Sequence, residues 1–324
     1  MKQPVSSSSR ISGSRRSGWR ARYRDELRAL PYVATWLVGV TFFFVYPLVA
    51  IVFFSFTHYD QFNPPAFVGL KNWVYVFTQY PKFYMALQNT LWFVVVMVSL
   101  RGLTGLAFGL LMVHIKRGVG VYRTLLYMPY LAPPVAATLA FVFLLNPIGP
   151  VNEALLRVGI DAPNWFNDPA TSKIGLTMLT VWGVGDLMII FMAGLLNVPK
   201  ELYDAASIDG AGRFGRFRHV SLPLLKPIIL FAMVTGVIQA MQYYTQAVVA
   251  GKVASGSVEQ SGNAFDAGYP LGSTLTLPQL IYSFGFQSFN VGAAAVVSVL
   301  LCVLALTATW ILMRGGSGFN LEGD

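Results

Sequence analysis

Residues 201–227 read Glu-Leu-Tyr-Asp-Ala-Ala-Ser-Ile-Asp-Gly-Ala-Gly-Arg-Phe-Gly-Arg-Phe-Arg-His-Val-Ser-Leu-Pro-Leu-Leu-Lys-Pro, a charged, glycine-punctuated stretch between two long apolar segments. Just upstream, Asn197 is a candidate helix cap and Pro199 falls in the first turn, where a missing N–H costs nothing. Glu201 and Asp204 then sit where the helix dipole favours negative charge. Asp209-Gly210 breaks the run, because glycine readily takes the positive φ that ends a helix. A second short helical run is expected over Ala211–Val220, stopping before Pro223. The pattern is a helix–turn–helix that lies against a membrane rather than inside it.

The surrounding sequence supplies the membrane. Over 324 residues, 55% are hydrophobic and only 11% charged, whereas soluble domains carry roughly 25% charge. Mean hydropathy is +0.57. A span needs about 20 mostly apolar residues, and six stretches qualify: 31–57, 86–115, 121–145, 174–196, 224–250 and 290–314. The alternating ten-residue segments of a transmembrane β-barrel are missing. The expectation is an all-α membrane protein with six transmembrane helices over 31–314, a basic tail over 1–30 and a short tail over 315–324. Pro47 lies inside the first expected span and Pro133-Pro134 inside the third.

Charge placement predicts orientation. The segments 1–30, 116–123, 197–226 and the C-terminal end hold seventeen Lys/Arg, against five in the alternate connections 58–85, 146–173 and 251–289. The positive-inside rule puts both termini and the 197–226 connection in the cytoplasm. The first 30 residues lack the apolar core of a cleaved signal peptide and read as a tail held near anionic membrane lipid. No folded basic domain accompanies the +9 net charge, so nucleic acid is not an expected partner. Cys302, the single cysteine, excludes disulfides and cysteine metal sites within the chain.

The 201–227 stretch resembles the "EAA" signature of permease subunits of binding-protein-dependent ABC importers, usually Glu-Ala-Ala, three residues, then Gly. Asp204-Ala205-Ala206 fills the first part and Gly210 the glycine, with Asp209 before it and Ala211 after. The likeness runs over about residues 30–314, through Tyr46-Pro47, the Phe67–Trp73 run, Asn89-Thr90, Arg123-Thr124, Trp182, Ala193-Gly194-Leu195, Leu275–Tyr282 and Phe289–Ala294. It is nearest to carbohydrate-uptake permeases of the maltose and glycerol-phosphate type.

That resemblance implies a type I importer permease fold with a cytoplasmic coupling loop at 199–223. The implied ATPase-coupling residues are Asp204, Ala205, Ala206, Asp209, Gly210, Ala211 and Pro223. The implied partners are a second permease subunit, two cytosolic ATPase subunits and an extracytoplasmic solute-binding protein, in the cytoplasmic membrane of a prokaryote. Two departures stand out: Asp204 replaces the usual Glu, and the usual Thr-Gly-Gly-Pro after the fifth span gives way to the polar stretch 251–268. The first keeps the sign of the charge. The second puts contact of the outer loop with a binding protein in doubt.

Polar residues within the spans mark candidate solute contacts. On a continuous helix Thr235, Gln239, Gln242, Tyr243 and Gln246 share an arc of about 100°. Such amides either join helices or, with the tyrosine ring, face the hydroxyls and apolar face of a sugar. Arg101 and Asp186 are charges inside spans, which are costly and face the bundle interior or water. They either pair, or Asp186 lines the pocket while Arg101 stays structural. The expected solute-binding residues are therefore Gln239, Gln242, Tyr243, Gln246 and Asp186.

Catalytic signals are missing. The sequence has no His-Glu-x-x-His, no G-x-S-x-G, no paired intramembrane Asp and no phosphate loop, so no enzyme activity, cofactor or metal is expected. The rival classes are an ion-coupled secondary transporter, for which interrupted helices at matched positions would be the sign, an intramembrane hydrolase, and an ABC importer for a non-sugar solute such as glycerol phosphate.

Overall fold

The computed structural model describes residues 32–256 and 267–317. The tail expected over 1–30, most of the polar stretch 251–268 and residues 318–324 lie outside the described residues. The chain divides into two compact units, one ending at Ala50 and one beginning at Ile51. In the first, the described residues belong to helix α1 (Tyr32–Ser55). A π-helical turn, Thr41–Val45, precedes Pro47, and Tyr46 N–H donates to Thr41 O. The widened turn gives the proline ring the room that the carbonyl of Phe43 would otherwise take, so the span continues through Pro47.

The second unit is built from α2 (Lys82–His114), α3 (Val119–Leu131), α4 (Pro134–Leu144), α5 (Pro150–Arg157), α6 (Ser172–Trp182) and α7 (Gly185–Leu196). It continues with α8 (Lys200–Ile208), α9 (Arg213–Leu224), α10 (Lys226–Met241), α11 (Thr245–Ala254), α12 (Leu277–Tyr282) and α13 (Val291–Ser317). One two-residue antiparallel bridge joins Thr57–His58 to Ala66–Phe67.

Of the six apolar stretches, α1, α2 and α13 are unbroken helices and the others are bent. The angle is 99° between α3 and α4, 47° between α6 and α7, and 64° between α9 and α10. Among the described residues, three helices are long and apolar enough to cross a membrane, or up to six if each bent pair is one span. The fifth stretch is also interrupted, since α10 ends at Met241 and α11 starts at Thr245.

Two of the breaks have a local account. Ala132 and Pro133 both precede a proline and both take ψ 133, the extended conformation that a following pyrrolidine ring enforces. Pro134 then starts α4, so the Pro-Pro pair separates two helices instead of kinking one. At the α6–α7 bend, a Cβ on Gly185 would lie 2.7 Å from the Tyr127 Cα, so only glycine lets α3 cross there.

Helix α2 is the central post. Its Gly105 and Gly109 form a G-x-x-x-G pair, and a Cβ at either would lie 2.7 Å from Leu187 Cβ or 2.9 Å from Phe191 Cβ of α7. With little hydrophobic drive between helices in lipid, such close backbone approach supplies the packing. Further along, Met112 meets Met188 and Met192, while Phe93 and Met97 join Leu176 and Tyr243.

The sequence reading treats 251–289 as an external connection. Its described second half is well packed: Leu275, Leu277, Leu280 and Phe284 are buried against Val76, Phe83 and Val296. Asn89 holds it by donating to Gly272 O and Leu275 O at 2.9 Å each, and Thr90 Oγ1 accepts Leu277 N–H at 3.0 Å. Asn72 plays the same part for another turn, donating to Ser55 O and Thr57 O. The Asn89-Thr90 pair and Asn72 are thus backbone clamps: the asparagines satisfy buried carbonyls and Thr90 a buried N–H.

Candidate functional cavity and helical hairpin

A cavity of about 360 Å³ opens in the second unit, within the size range of small-molecule sites. Three of the helix breaks just described reach it. Ala132 and Pro134 come from the α3–α4 corner, Gly183 from the α6–α7 bend, and Gln242 and Tyr243 from the α10–α11 interruption. A broken helix presents free backbone groups and loosely packed side chains, which is tolerated in a membrane protein only where protein or a cavity satisfies them. The convergence makes this the principal candidate site.

Gln239, Gln242, Tyr243 and Gln246, the residues singled out in the fifth span, all line the cavity. The reason differs from the predicted one, because no continuous helix carries them: Gln239 lies on α10, Gln242 and Tyr243 in the turn after it, and Gln246 on α11. Thr235 opens only onto a small neighbouring recess of about 10 Å³. Tyr243 belongs more to the wall than to the opening. It is 6% exposed, its ring sits 5.4 Å from that of Phe93, and its hydroxyl donates to Leu176 O at 3.3 Å.

Asp186 lines the small recess and is missing from the cavity wall, whereas Arg101 lines both. The two residues pair: Arg101 Nη2 lies 2.8 Å from Asp186 Oδ1 and 2.9 Å from Oδ2. Arg101 Nη1 donates to Gln239 Oε1. Of the two alternatives the structure takes pairing, with Asp186 spent on the ion pair and Arg101 reaching the cavity as well. The cause is register. Arg101 is one turn before Gly105 on α2, and Asp186 is next to Leu187 on α7, so the close packing of that glycine brings the charges level.

Sequence reasoning also missed Tyr130, Thr180 and Trp182 in the wall. For Trp182 the signal was present, since it stands one residue before the Gly183 break. Every polar side chain on the cavity wall is neutral or cationic, and no acidic residue lines it.

The 199–223 stretch forms the second candidate site. Helix α8 begins at Lys200 with Pro199 in the extended cap position, and Asn197 ends α7. Asn197 is thus not the cap of α8, because its own backbone is already helical, at φ −82 and ψ −7. Gly210 takes φ +82. Its N–H donates to Ser207 O at 3.1 Å and that of Ala211 to Ala206 O at 2.9 Å, the paired bonds of a Schellman ending.

Helix α9 starts at Arg213 and runs through Pro223 rather than stopping before it. A π-helical turn, Phe217–Ser221, precedes the proline and relieves its clash, as it does ahead of Pro47. The two helices are cross-tied by Tyr203 Oη and Ser221 Oγ at 2.9 Å and by Arg216 Nη1 donating to Ser207 Oγ at 3.2 Å. Asp204, Ala205, Asp209 and Gly210 are exposed, while Ala206, Ala211 and Pro223 are half-buried. Ile208 and Phe214, which sequence reasoning passed over, are 87% and 73% exposed at the tip.

A family model described as the inner membrane component of binding-protein-dependent transport systems matches residues 102–314. The probable ABC transporter permease protein YesP of Bacillus subtilis (strain 168) is 32% identical over 296 residues, covering 91% of this chain and 92% of its own. The arabinooligosaccharides transport system permease protein AraP of the same organism is 28% identical over 321 residues, covering 96% of each. A crystal structure of a bacterial ABC transporter involved in the import of the acidic polysaccharide alginate contains a chain of similar fold. It has a TM-score of 0.72 at 19% identity, with 93% of this chain and 99% of that one covered.

Proposed function

Because the chain belongs to the family of binding-protein-dependent transport system inner membrane components, we propose that it is one membrane-spanning subunit of an ATP-driven importer for a sugar or sugar-like solute. The observation that carries this is the convergence of three helix breaks, α3–α4, α6–α7 and α10–α11, on one cavity walled by Gln239, Gln242 and Gln246. Amides both donate and accept, which matches the many hydroxyls of a saccharide. The aromatic side chains of Tyr130 and Trp182 in the same wall offer apolar faces for the sugar ring.

In this reading the subunit pairs with a second permease, two cytosolic ATPases and an extracytoplasmic solute-binding protein. The basic-residue asymmetry supports placing both termini and the 199–223 hairpin in the cytoplasm. Exposed Ile208 and Phe214 and the acidic Asp204 and Asp209 give an ATPase something to grip. Helix α9 leads after a single residue into α10, which carries Gln239. Displacement of the hairpin would thereby reach the cavity wall and switch its access.

Interrupted helices lining a cavity are also a mark of ion-coupled carriers, so that rival class has to be tested beside the importer. One experiment addresses both readings: uptake of radiolabelled lactose, maltose, trehalose and arabinotriose by the reconstituted complex, with and without ATP and with ionophores. Uptake that needs ATP and survives ionophores supports the importer. Uptake that needs an ion gradient and no ATP overturns it. Within the ATP-driven case, Gln242→Leu should lower uptake several-fold in an assembled complex, since one uncharged hydrogen bond is worth about 0.5–1.5 kcal/mol.

A further inference from the structure

The Arg101–Asp186 pair has a geometry that goes beyond neutralising a charge in a membrane. Both side chains are largely buried, at 11% and 17% exposure. Asp186 takes Nη2 with both carboxylate oxygens. Nη1 is left directed at Gln239, which lines the cavity. A guanidinium has five donors and no acceptor. Whatever faces Nη1 must therefore accept, and of the two ends of the Gln239 amide only Oε1 can.

We propose that Arg101, held by Asp186, orients Gln239 so that its Nε2 is a fixed N–H donor to an acceptor oxygen of the solute. This rests on the reading of the cavity as the solute site. An unconstrained glutamine flips between donor and acceptor at little cost and recognises a hydroxyl in either sense. Gln239 cannot flip, because the flipped amide would set Nε2 against Nη1, donor against donor, and leave a partly buried guanidinium N–H unpaired. Among the described residues Nε2 makes no hydrogen bond, so its donors stay available to the cavity. Ring and glycosidic oxygens, which only accept, and hydroxyl lone pairs are the groups it would take.

Asp186 and Arg101 are then positioning residues that act through Gln239. The order along the chain supports this division. Arg101 is fixed by its distance of one turn from Gly105, and Asp186 by its neighbour Leu187, which packs on that same glycine. Both anchors are backbone-level contacts. Pair and amide therefore form one unit spanning α2, α7 and α10, and within it Gln239 is the member that offers the solute an amide N–H.

Gln239→Glu is the decisive variant. A glutamate keeps the acceptor toward Arg101, and with it the packing, but removes the N–H donor at the same place. In the complete reconstituted complex, with KM measured on whichever of lactose, maltose, trehalose and arabinotriose is carried, Gln239→Glu should raise KM roughly three- to tenfold. A purely structural role for Gln239 predicts an unchanged KM, which overturns the proposal. Asp186→Asn should raise KM by a similar factor, and combined with Gln239→Glu should add nothing further, because both remove the same oriented donor. Factors that multiply would mean that Asp186 meets the solute itself, and would also overturn it. Where Asp186→Asn fails to assemble, Arg101→Lys serves, since a single ammonium cannot hold carboxylate and amide in one plane. An unchanged KM in Gln239→Glu while Gln242→Leu is impaired removes only the orientation. Unchanged uptake in both, or carriage of none of the four sugars, removes the cavity reading beneath it.

Discussion

Thr276 donates its hydroxyl to the main-chain oxygen of Tyr243 at 3.0 Å, across 33 residues of sequence and with both residues buried. That carbonyl is freed by the interruption between α10 and α11, and no helical N–H serves it. The segment 267–287, itself clamped by Asn89 and Thr90, thereby holds the break that brings Gln242 and Gln246 to the cavity. Thr276→Val keeps the shape and removes the bond, leaving a buried carbonyl unpaired at a cost of about 1–3 kcal/mol. A lower melting temperature of the purified complex, with uptake reduced in step, is expected. An unchanged melting temperature would mean that the break needs no such tie.

A substitution at Gly109 tests the post of the bundle. A Cβ there would meet Phe191 Cβ at 2.9 Å and Met192 N at 3.1 Å, so the helices would have to separate. Gly109→Leu should cost more than the roughly 1–3 kcal/mol of ordinary overpacking, because backbone rather than side-chain tips is in the way. Membrane yield of the subunit should fall sharply. Gly102→Leu, on the same helix with nothing within 4 Å, is the control that should insert normally.

How far the fold could be read from sequence follows from what each signal measures. Apolar length located α1, α2 and α13, because an unbroken helix needs nothing else. It did not locate the breaks as breaks. Pro133-Pro134 was visible, but a proline kinks some helices and ends others, as Pro47 shows by being absorbed in a π-helical turn. The interruption at Gln242–Tyr244 carries no proline or glycine, and its cause is Thr276, which no local reading reaches. The cavity amides were found with a helical wheel that does not apply there. They still converge because the polar residues cluster where the helix stops. Which alternative held for Arg101 and Asp186 depended on a glycine contact between α2 and α7, which is tertiary information.

The turn of the hairpin makes a direct prediction. Gly210 combines φ +82 with an N–H donated to Ser207 O, and proline can supply neither. Gly210→Pro should leave the subunit inserted, because nothing packs within 4 Å of that position, while uptake is lost and co-purification with the ATPase weakens. Asp204→Lys reverses an exposed charge on the same hairpin and should weaken co-purification without changing the fold. Normal uptake in both variants would take the hairpin out of the mechanism.

Orientation is open to labelling. In a Cys302→Ala background, Arg213→Cys at the start of α9 and Asp161→Cys between α5 and α6 are both exposed positions. A membrane-impermeant maleimide applied to intact cells should label the second and spare the first. The reverse pattern would invert the topology drawn from the basic residues.

Tyr243 separates a wall residue from a solute contact. Its ring is packed with Phe93, Leu176 and Ala247, and its hydroxyl is spent on Leu176 O, which also accepts from Thr180 at 3.0 Å. Tyr243→Phe removes one hydrogen bond and leaves Leu176 O still satisfied by Thr180, so a loss near the low end of 0.5–1.5 kcal/mol is expected, with uptake close to wild type. Tyr243→Ala empties a buried aromatic site, at a cost of about 3–5 kcal/mol. Assembly should therefore fall before transport does, in contrast to Gln242→Leu, where uptake should fall in an assembled complex. Were Tyr243 instead a stacking platform for the sugar, Tyr243→Ala would assemble normally and transport poorly. A melting curve and an uptake assay on the same preparation distinguish the two outcomes.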